Sequence, residues 1–270
     1  MNIKETIADS LDRVRKEVPL VHHITNQVVM NDCANITLHI GGSPVMSHAP
    51  EEVEEMVSLA DCLILNIGTL TGNLVESMVK AGRRANQKGI PVLLDPVGTG
   101  ATGLRTEASQ RILSELKIDI IKGNAGEISV LSGIGGRVRG VDSVGESEDP
   151  REVVEKLAAE TGSCVVMTGS VDWVSYGNRT FRVKNGHVLL SKLSGTGCIL
   201  GSIIGAFAGV LKDSLTASLA GLVSLGAAAE LAAEKESLPA SFKRALFDEV
   251  YALDREKIMK NARVEELTSR

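Results

Sequence analysis

Short apolar runs alternate with helix-length segments through the first two-thirds of the chain, and each run ends near Gly, Asn, Asp or Thr. The runs cover residues 20–24, 44–46, 62–67, 92–95, 119–122 and 164–168, with helical patterns such as 73–88 and 106–116 between them. An amphipathic pattern over about residues 3–17 precedes the first run. Strands of three to six residues separated by helices cannot pair as hairpins. They pair in parallel, through right-handed crossovers that leave helices on both faces of the sheet. The alternation predicts an α/β fold, a three-layer sandwich around a mainly parallel sheet, formed as one domain over residues 1–270.

The pattern changes after residue 170. Residues 171–190 read WVSYG, N, RTFRV, KNG, HVLL, with Gly177-Asn178 and Asn185-Gly186 as turn dipeptides, which predicts an antiparallel meander. The chain then finishes in helices, of which 193–211 and 214–235 are rich enough in Ala, Gly and Leu to be buried. Gly201, Gly205 and Gly209 stand at GxxxG spacing in an uncharged stretch. A membrane span is the alternative there, but the glycine turn before it and the two-residue break after it fit two buried helices better. Residues 132–150 are polar and glycine-rich, and read as a surface loop, with an active-site lid as the alternative.

Aromatic residues are only 3%, so the core must be built from Val, Ile, Leu, Ala and Gly, as in a parallel sheet covered by close-packed helices. The formal net charge of −5 and the lack of a basic run exclude a nucleic-acid binder that works by neutralising phosphates, so an anionic substrate has to be held by local groups. Cys33, Cys62, Cys164 and Cys198 lie far apart without a CxxC pair, which suggests neither a disulfide framework nor a zinc site. The amino terminus is charged throughout and is not a signal peptide. A cytoplasmic protein with no membrane partner is expected.

In an open α/β sheet, ligands bind beyond the carboxyl ends of the strands, so the residues there carry the functional reading. They are Asn26 and Gln27, Met46 and Ser47, Gly68 and Thr69, Asp95 before PVGTGAT, Lys122 before GNAGE, and Thr168 with Gly169. Gly98, Gly100 and Gly103 spell a literal GxGxxG, but a dinucleotide fingerprint belongs to the first strand, and no GK[ST] closes a Walker loop. The strongest local signal is Ser194-Gly195-Thr196-Gly197-Cys198, running into an apolar helix. Glycines let consecutive N–H groups converge, and the helix dipole adds positive potential, so the turn favours an anion; the plain alternative is a helix cap by Ser194 or Thr196. Glu127 opens a helix after Lys122-Gly123-Asn124 and reads equally as a partner of the helix dipole or, with Asp95, as a holder of a magnesium ion partly through water.

The segments VHHITNQVVMNDCANITLHIGGSPVM, LILNIGTL, LLDPVGTGAT, IIKGNAGEI and SGTGC together resemble the hydroxyethylthiazole kinases, in that order and over nearly the whole chain. The resemblance implies a ribokinase-like fold, ATP and magnesium (Mg2+) as cosubstrates, and a homotrimer with active sites at subunit contacts. By matching position it implies that Asn26, Met46, Gly68 and Gly195 surround the thiazole alcohol, and that Lys122, Asn124, Thr168 and Gly169 lie along ATP. It also implies that Gly195, Gly197 and Cys198 carry the transfer, with Asp95 and Glu127 at the metal.

Two positions depart from wider patterns. Ribokinase-like enzymes generally carry an Asp base after the Gly-x-Gly turn, where this chain has Cys198. Lys122 stands where the family more often has Arg, replacing a two-pronged phosphate contact by a point charge. A hydroxymethylpyrimidine or sugar kinase is the nearest enzyme alternative, and a non-catalytic nucleotide-binding regulator the alternative from another class.

Overall fold

The computed structural model describes residues 3–134 and 149–268, so most of the loop expected over 132–150 lies outside the described residues. In chain order the elements are α1 (Ile3–Glu17), β1 (Leu20–Ile24), α2 (Met30–Ile40), β2 (Ser43–Met46), α3 (Val53–Leu59), β3 (Cys62–Asn66) and α4 (Gly72–Lys88). There follow β4 (Val92–Asp95), α5 (Gly103–Glu115), β5 (Ile120–Asn124), α6 (Ala125–Ser132), α7 (Pro150–Thr161) and β6 (Cys164–Thr168). The remainder is β7 (Asp172–Tyr176), β8 (Arg179–Val183), a 3-10 turn Val188–Lys192, α8 (Thr196–Leu211), α9 (Ser214–Lys235), α10 (Pro239–Tyr251), α11 (Arg255–Asn261) and β9 (Val264–Leu267).

The nine strands among the described residues form one sheet in the order β2-β1-β3-β4-β5-β6-β7-β8-β9. The six alternating strands pair in parallel and the last three add antiparallel. The central strands are buried along their length, as expected of runs covered on both faces. One apolar cluster joins the sheet to α1, α2, α8, α9 and α10, and a second joins the other face to α3, α4, α6 and α7. Helix α8 lies close against the sheet because a side chain at Gly205 would meet Ile64 Cδ1 at 2.6 Å. The most apolar window of α9, the one helix among the described residues long enough to cross a membrane, is 83% buried inside this layer.

The hairpin at Gly177-Asn178 forms as the sequence predicts, with Tyr176 opposite Arg179. The rest of the meander does not. Asn185-Gly186 is no hairpin turn: the Gly186 N–H and Asn185 Nδ2 both donate to Glu230 Oε1 on α9, and HVLL coils into the 3-10 turn. The place beside β8 is taken by β9 from the carboxyl terminus, so the chain does not finish purely in helices. Two strand ends are also displaced. The run expected over 62–67 stops at Asn66, and that over 119–122 extends to Asn124, so Lys122 sits inside β5 opposite Val166 and not at its end.

Candidate active site

Parallel strands end on one side of the sheet, which brings Asn26, Asn66, Asp95, Asn124 and Thr168 into a row of neighbouring strand ends. Asn66 is opposite Asp95, and Asn124 is opposite Thr168. Helix α8 starts above this row. Its N-cap is Gly195 at φ +85, and no side chain caps the helix, so neither Ser194 nor Thr196 takes the plain capping role. Gly195 is required twice over, by its left-handed backbone and because an added Cβ would lie 2.1 Å from Val29 Cγ1. The uncapped first N–H groups of a sixteen-residue helix are therefore free to bind an anion.

Lys122 ties this turn to the sheet. Its ammonium is 3.0 Å from Asp95 Oδ2 and donates to the Gly197 carbonyl at 2.9 Å. Burial pulls its proton affinity down, but Asp95, Cys198 and Glu127 together raise it, so Lys122 stays charged. Asn66 Nδ2 donates to the same Asp95 oxygen at 2.7 Å, while Asp95 Oδ1 is buried with no hydrogen-bond partner. Cys198 Sγ accepts from Asn66 Nδ2 at 3.2 Å and from Asn26 Nδ2 at 3.4 Å. Burial, and then Asp95, push its thiol up to about 11 against the opposing pull of Lys122 and the two amides. Burial and Asp95 thus outweigh Lys122 and the two amides, which favours the neutral thiol at pH 7.

Glu127 joins the next pair of loops. Its Oε1 accepts from Gly98 N–H at 2.7 Å, and its Oε2 closes a capping box with Asn124, whose side chain accepts from Glu127 N–H. Burial and the nearby Asp95 raise its carboxyl above the usual carboxylate range, with Gly98, Lys122 and Asn124 opposing. A helix-terminal role and a place beside Asp95 thus coexist. The two acids with the orphaned Asp95 oxygen fit a hard, oxygen-ligated cation. Among the described residues no cluster of three or more His, Cys, Asp or Glu side chains gathers, so any such ion would be held by one or two carboxylates and water.

A cavity of about 580 Å³ opens beside the turn, lined by Thr168, Gly169, Thr196 and Gly197 together with Leu222 and Leu225. A lining that mixes polar backbone with apolar side chains suits a ligand with a phosphate tail and a flat heterocycle. Asp172 also lines it and accepts from Gly169 N–H at 2.9 Å; burial raises this carboxyl to about 7.

Of the residues singled out in the sequence, Asn26, Asp95, Lys122, Gly197 and Cys198 share one hydrogen-bond network, and Gly68 joins it through its N–H to Asn66 Oδ1 at 3.0 Å. Met46 is not part of this side-chain network. It ends the edge strand β2, half-buried against the core and opposite His23. Asn66 escapes the sequence reading because the run of residues 62–67 continues to Ile67, although an Asn two residues before a glycine is itself a signal for a strand end. Arg105 was missed too: from α5 it donates to the carbonyls of Ile67, Gly68 and Val97, clamping the loops after β3 and β4.

Comparison with known proteins follows the same lines. A family model described as the hydroxyethylthiazole kinase family matches residues 11–256. A hydroxyethylthiazole kinase of Roseiflexus sp. (strain RS-1) is 52% identical over 264 residues, covering 98% of each chain. The solved structure of a hydroxyethylthiazole kinase protein from Pyrococcus horikoshii OT3 superposes with a TM-score of 0.90 at 46% identity, covering 97% of this chain and 99% of that one. A ribokinase-like superfamily protein from Enterococcus faecalis, 15% identical with a TM-score of 0.66 over 92% of this chain and 95% of its own, shares the fold.

Proposed function

The chain belongs to the hydroxyethylthiazole kinase family, and on that premise we propose that its crevice at the ends of β1, β3 and β4 moves the γ-phosphoryl group of ATP to the primary hydroxyl of 5-(2-hydroxyethyl)-4-methylthiazole. The protein is a small-molecule kinase serving thiamine biosynthesis and salvage. The observation that carries the site assignment is the buried network from Asn26 through Asn66, Asp95 and Lys122 to Gly197, which sets the uncapped turn of α8 between the crevice and the cavity.

ATP occupies the cavity in this reading, its base toward Leu222 and Leu225 and its phosphates toward Thr168 and Gly169, with Asn124 beside them as the β5 residue opposite Thr168. Lys122 spends two of its three N–H donors within the protein and keeps one for a phosphate oxygen. The N–H groups following Gly195 receive the charge that develops on the moving phosphoryl group. Asp95 and Glu127 would hold a magnesium ion, largely through water, which would supply positive charge to the triphosphate. The thiazole lies by Asn26, Met46, Gly68 and Gly195, its hydroxyl near Cys198.

A bond forms between the hydroxyl oxygen and the γ-phosphorus, the bond to the β–γ bridging oxygen breaks with its electron pair leaving on ADP, and the hydroxyl proton departs with the new ester to solvent. Phosphoryl transfer of this kind has a loose transition state, so positioning and charge matter more than base strength, which makes a thiol acceptable where relatives of the fold use a carboxylate.

The enzyme is further read as a cytoplasmic homotrimer with its active sites at subunit contacts; four free cysteines suit a reducing compartment. A coupled assay with ATP and a panel of alcohols tests the substrate, and EDTA tests the metal. Turnover of hydroxyethylthiazole is expected with magnesium and none in EDTA. Robust turnover without a divalent ion, or preference for a pyrimidine or sugar alcohol, overturns the reading.

A further inference from the structure

We propose that Asn66 is a positioning residue that fixes the orientation of Cys198 toward the substrate hydroxyl; this rests on the kinase reading above. Asn66 is 1% exposed and all four hydrogen-bonding positions of its amide are filled. Its Oδ1 accepts from Asn26 Nδ2 at 2.8 Å and Gly68 N–H at 3.0 Å, and its Nδ2 donates to Asp95 Oδ2 at 2.7 Å and Cys198 Sγ at 3.2 Å. Two of these partners allow no choice. A backbone N–H only donates, and a carboxylate paired with Lys122 only accepts. A flipped amide would set donor against donor at Gly68 and acceptor against acceptor at Asp95, so its orientation is locked.

Asn26 is then locked in turn. Its Nδ2 must face Asn66 Oδ1, its Oδ1 accepts from Val28 N–H at 3.1 Å, and the second hydrogen of Nδ2 points to Cys198 Sγ. The sulfur therefore receives two N–H groups, which fix its place in the crevice. Among the described residues Sγ makes no hydrogen bond as a donor, so its remaining side is left for the alcohol oxygen.

A residue that acts through another is revealed by a double-mutant cycle. Single-turnover rates and KM for ATP are measured for Asn66→Ala, Cys198→Ala and the double variant, with native folding followed by thermal melting. The single Asn66→Ala change is expected to lower the rate about ten- to a hundredfold with KM for ATP unchanged, and the double variant to be within about threefold of the slower single variant. Multiplying losses, an unchanged rate in Asn66→Ala, or a loss carried wholly in KM for ATP would overturn the proposal. Should Asn66→Ala fail to fold, Asn66→Ser runs the same cycle. Wild-type turnover of hydroxyethylthiazole in the same assay tests the kinase reading separately, so the two failures are distinguishable.

Discussion

Lys122 Nζ sits 3.0 Å from Asp95 Oδ2, and neither side chain is more than 4% exposed. Two opposite charges removed from water depend on each other: each offsets the desolvation of its partner, and together they join the strand ends to the turn of α8 through the Gly197 carbonyl.

Lys122→Met keeps the length of the side chain and removes its charge, leaving Asp95 buried with only Asn66 as a donor. Breaking one side of a buried pair typically costs about 3–5 kcal/mol, and urea unfolding should show a loss in that range. The phosphate contact goes with it, so kcat/KM for ATP should fall by more than about a hundredfold. A variant as stable and as active as the wild type would exclude the role given to this pair.

Glu127 and Cys198 separate charge stabilisation from proton transfer. In Glu127→Gln an amide NH2 must face either Gly98 N–H or Asn124 N–H, so a stability loss of about 1–3 kcal/mol accompanies a fall in turnover of about two or more powers of ten. Cys198→Ala should be milder, about ten- to a thousandfold, because a neutral thiol is not the base and the main-chain anion site remains. Single-turnover kinetics at saturating ATP and thiazole decide it. Near-normal Glu127→Gln beside a dead Cys198→Ala would mean that proton abstraction dominates.

Asp172 gives stability a pH dependence of known sign. Its folded carboxyl is raised from 3.8 to about 7 by burial, with the Gly169 N–H opposing, so between those values the folded state binds more protons than the unfolded state. Stability from this residue is fullest below pH 4 and declines as pH rises to about 7. Asp172→Asn should flatten that decline and melt higher than the wild type at pH 8. An identical pH profile of melting temperature in the two proteins would show that Asp172 titrates normally.

Assembly follows from the proposed trimer. Val28, beside Asn26, and Val188, at the cavity mouth, expose large apolar side chains that a neighbouring subunit would cover. Light scattering should give a mass near three chains, and Val28→Glu should shift it toward monomer with loss of activity. A fully active monomer removes the shared-site model.

Much of the fold could be read in advance because its signals are local. The parallel strands announce themselves by apolar runs, and the β7–β8 hairpin by Gly177-Asn178. The errors lie where local signals run out. A run of four apolar residues such as HVLL fits a strand or a helical turn equally, and the contacts of Asn185 and Gly186 with Glu230 decided for the turn. Strand β9 has no apolar run at all. It pairs with β8 at the sheet edge, where Arg179 meets Glu266 and Arg182 meets Glu265.

At the site the division is the same. Glycines and polar residues at strand ends, and the turn before α8, are properties of short segments, so sequence alone determined that Asn26, Asp95, Lys122, Glu127 and Cys198 would be brought to one side of a parallel sheet. Only the tertiary structure decided which of them touch: that Asn66 stands among them, that Lys122 is held by Asp95, and that Cys198 carries its proton. Protonation and hydrogen-bond polarity depend on burial and on distances of a few ångströms between residues far apart in the chain, such as Asn26 and Cys198, and no local pattern of residues encodes those.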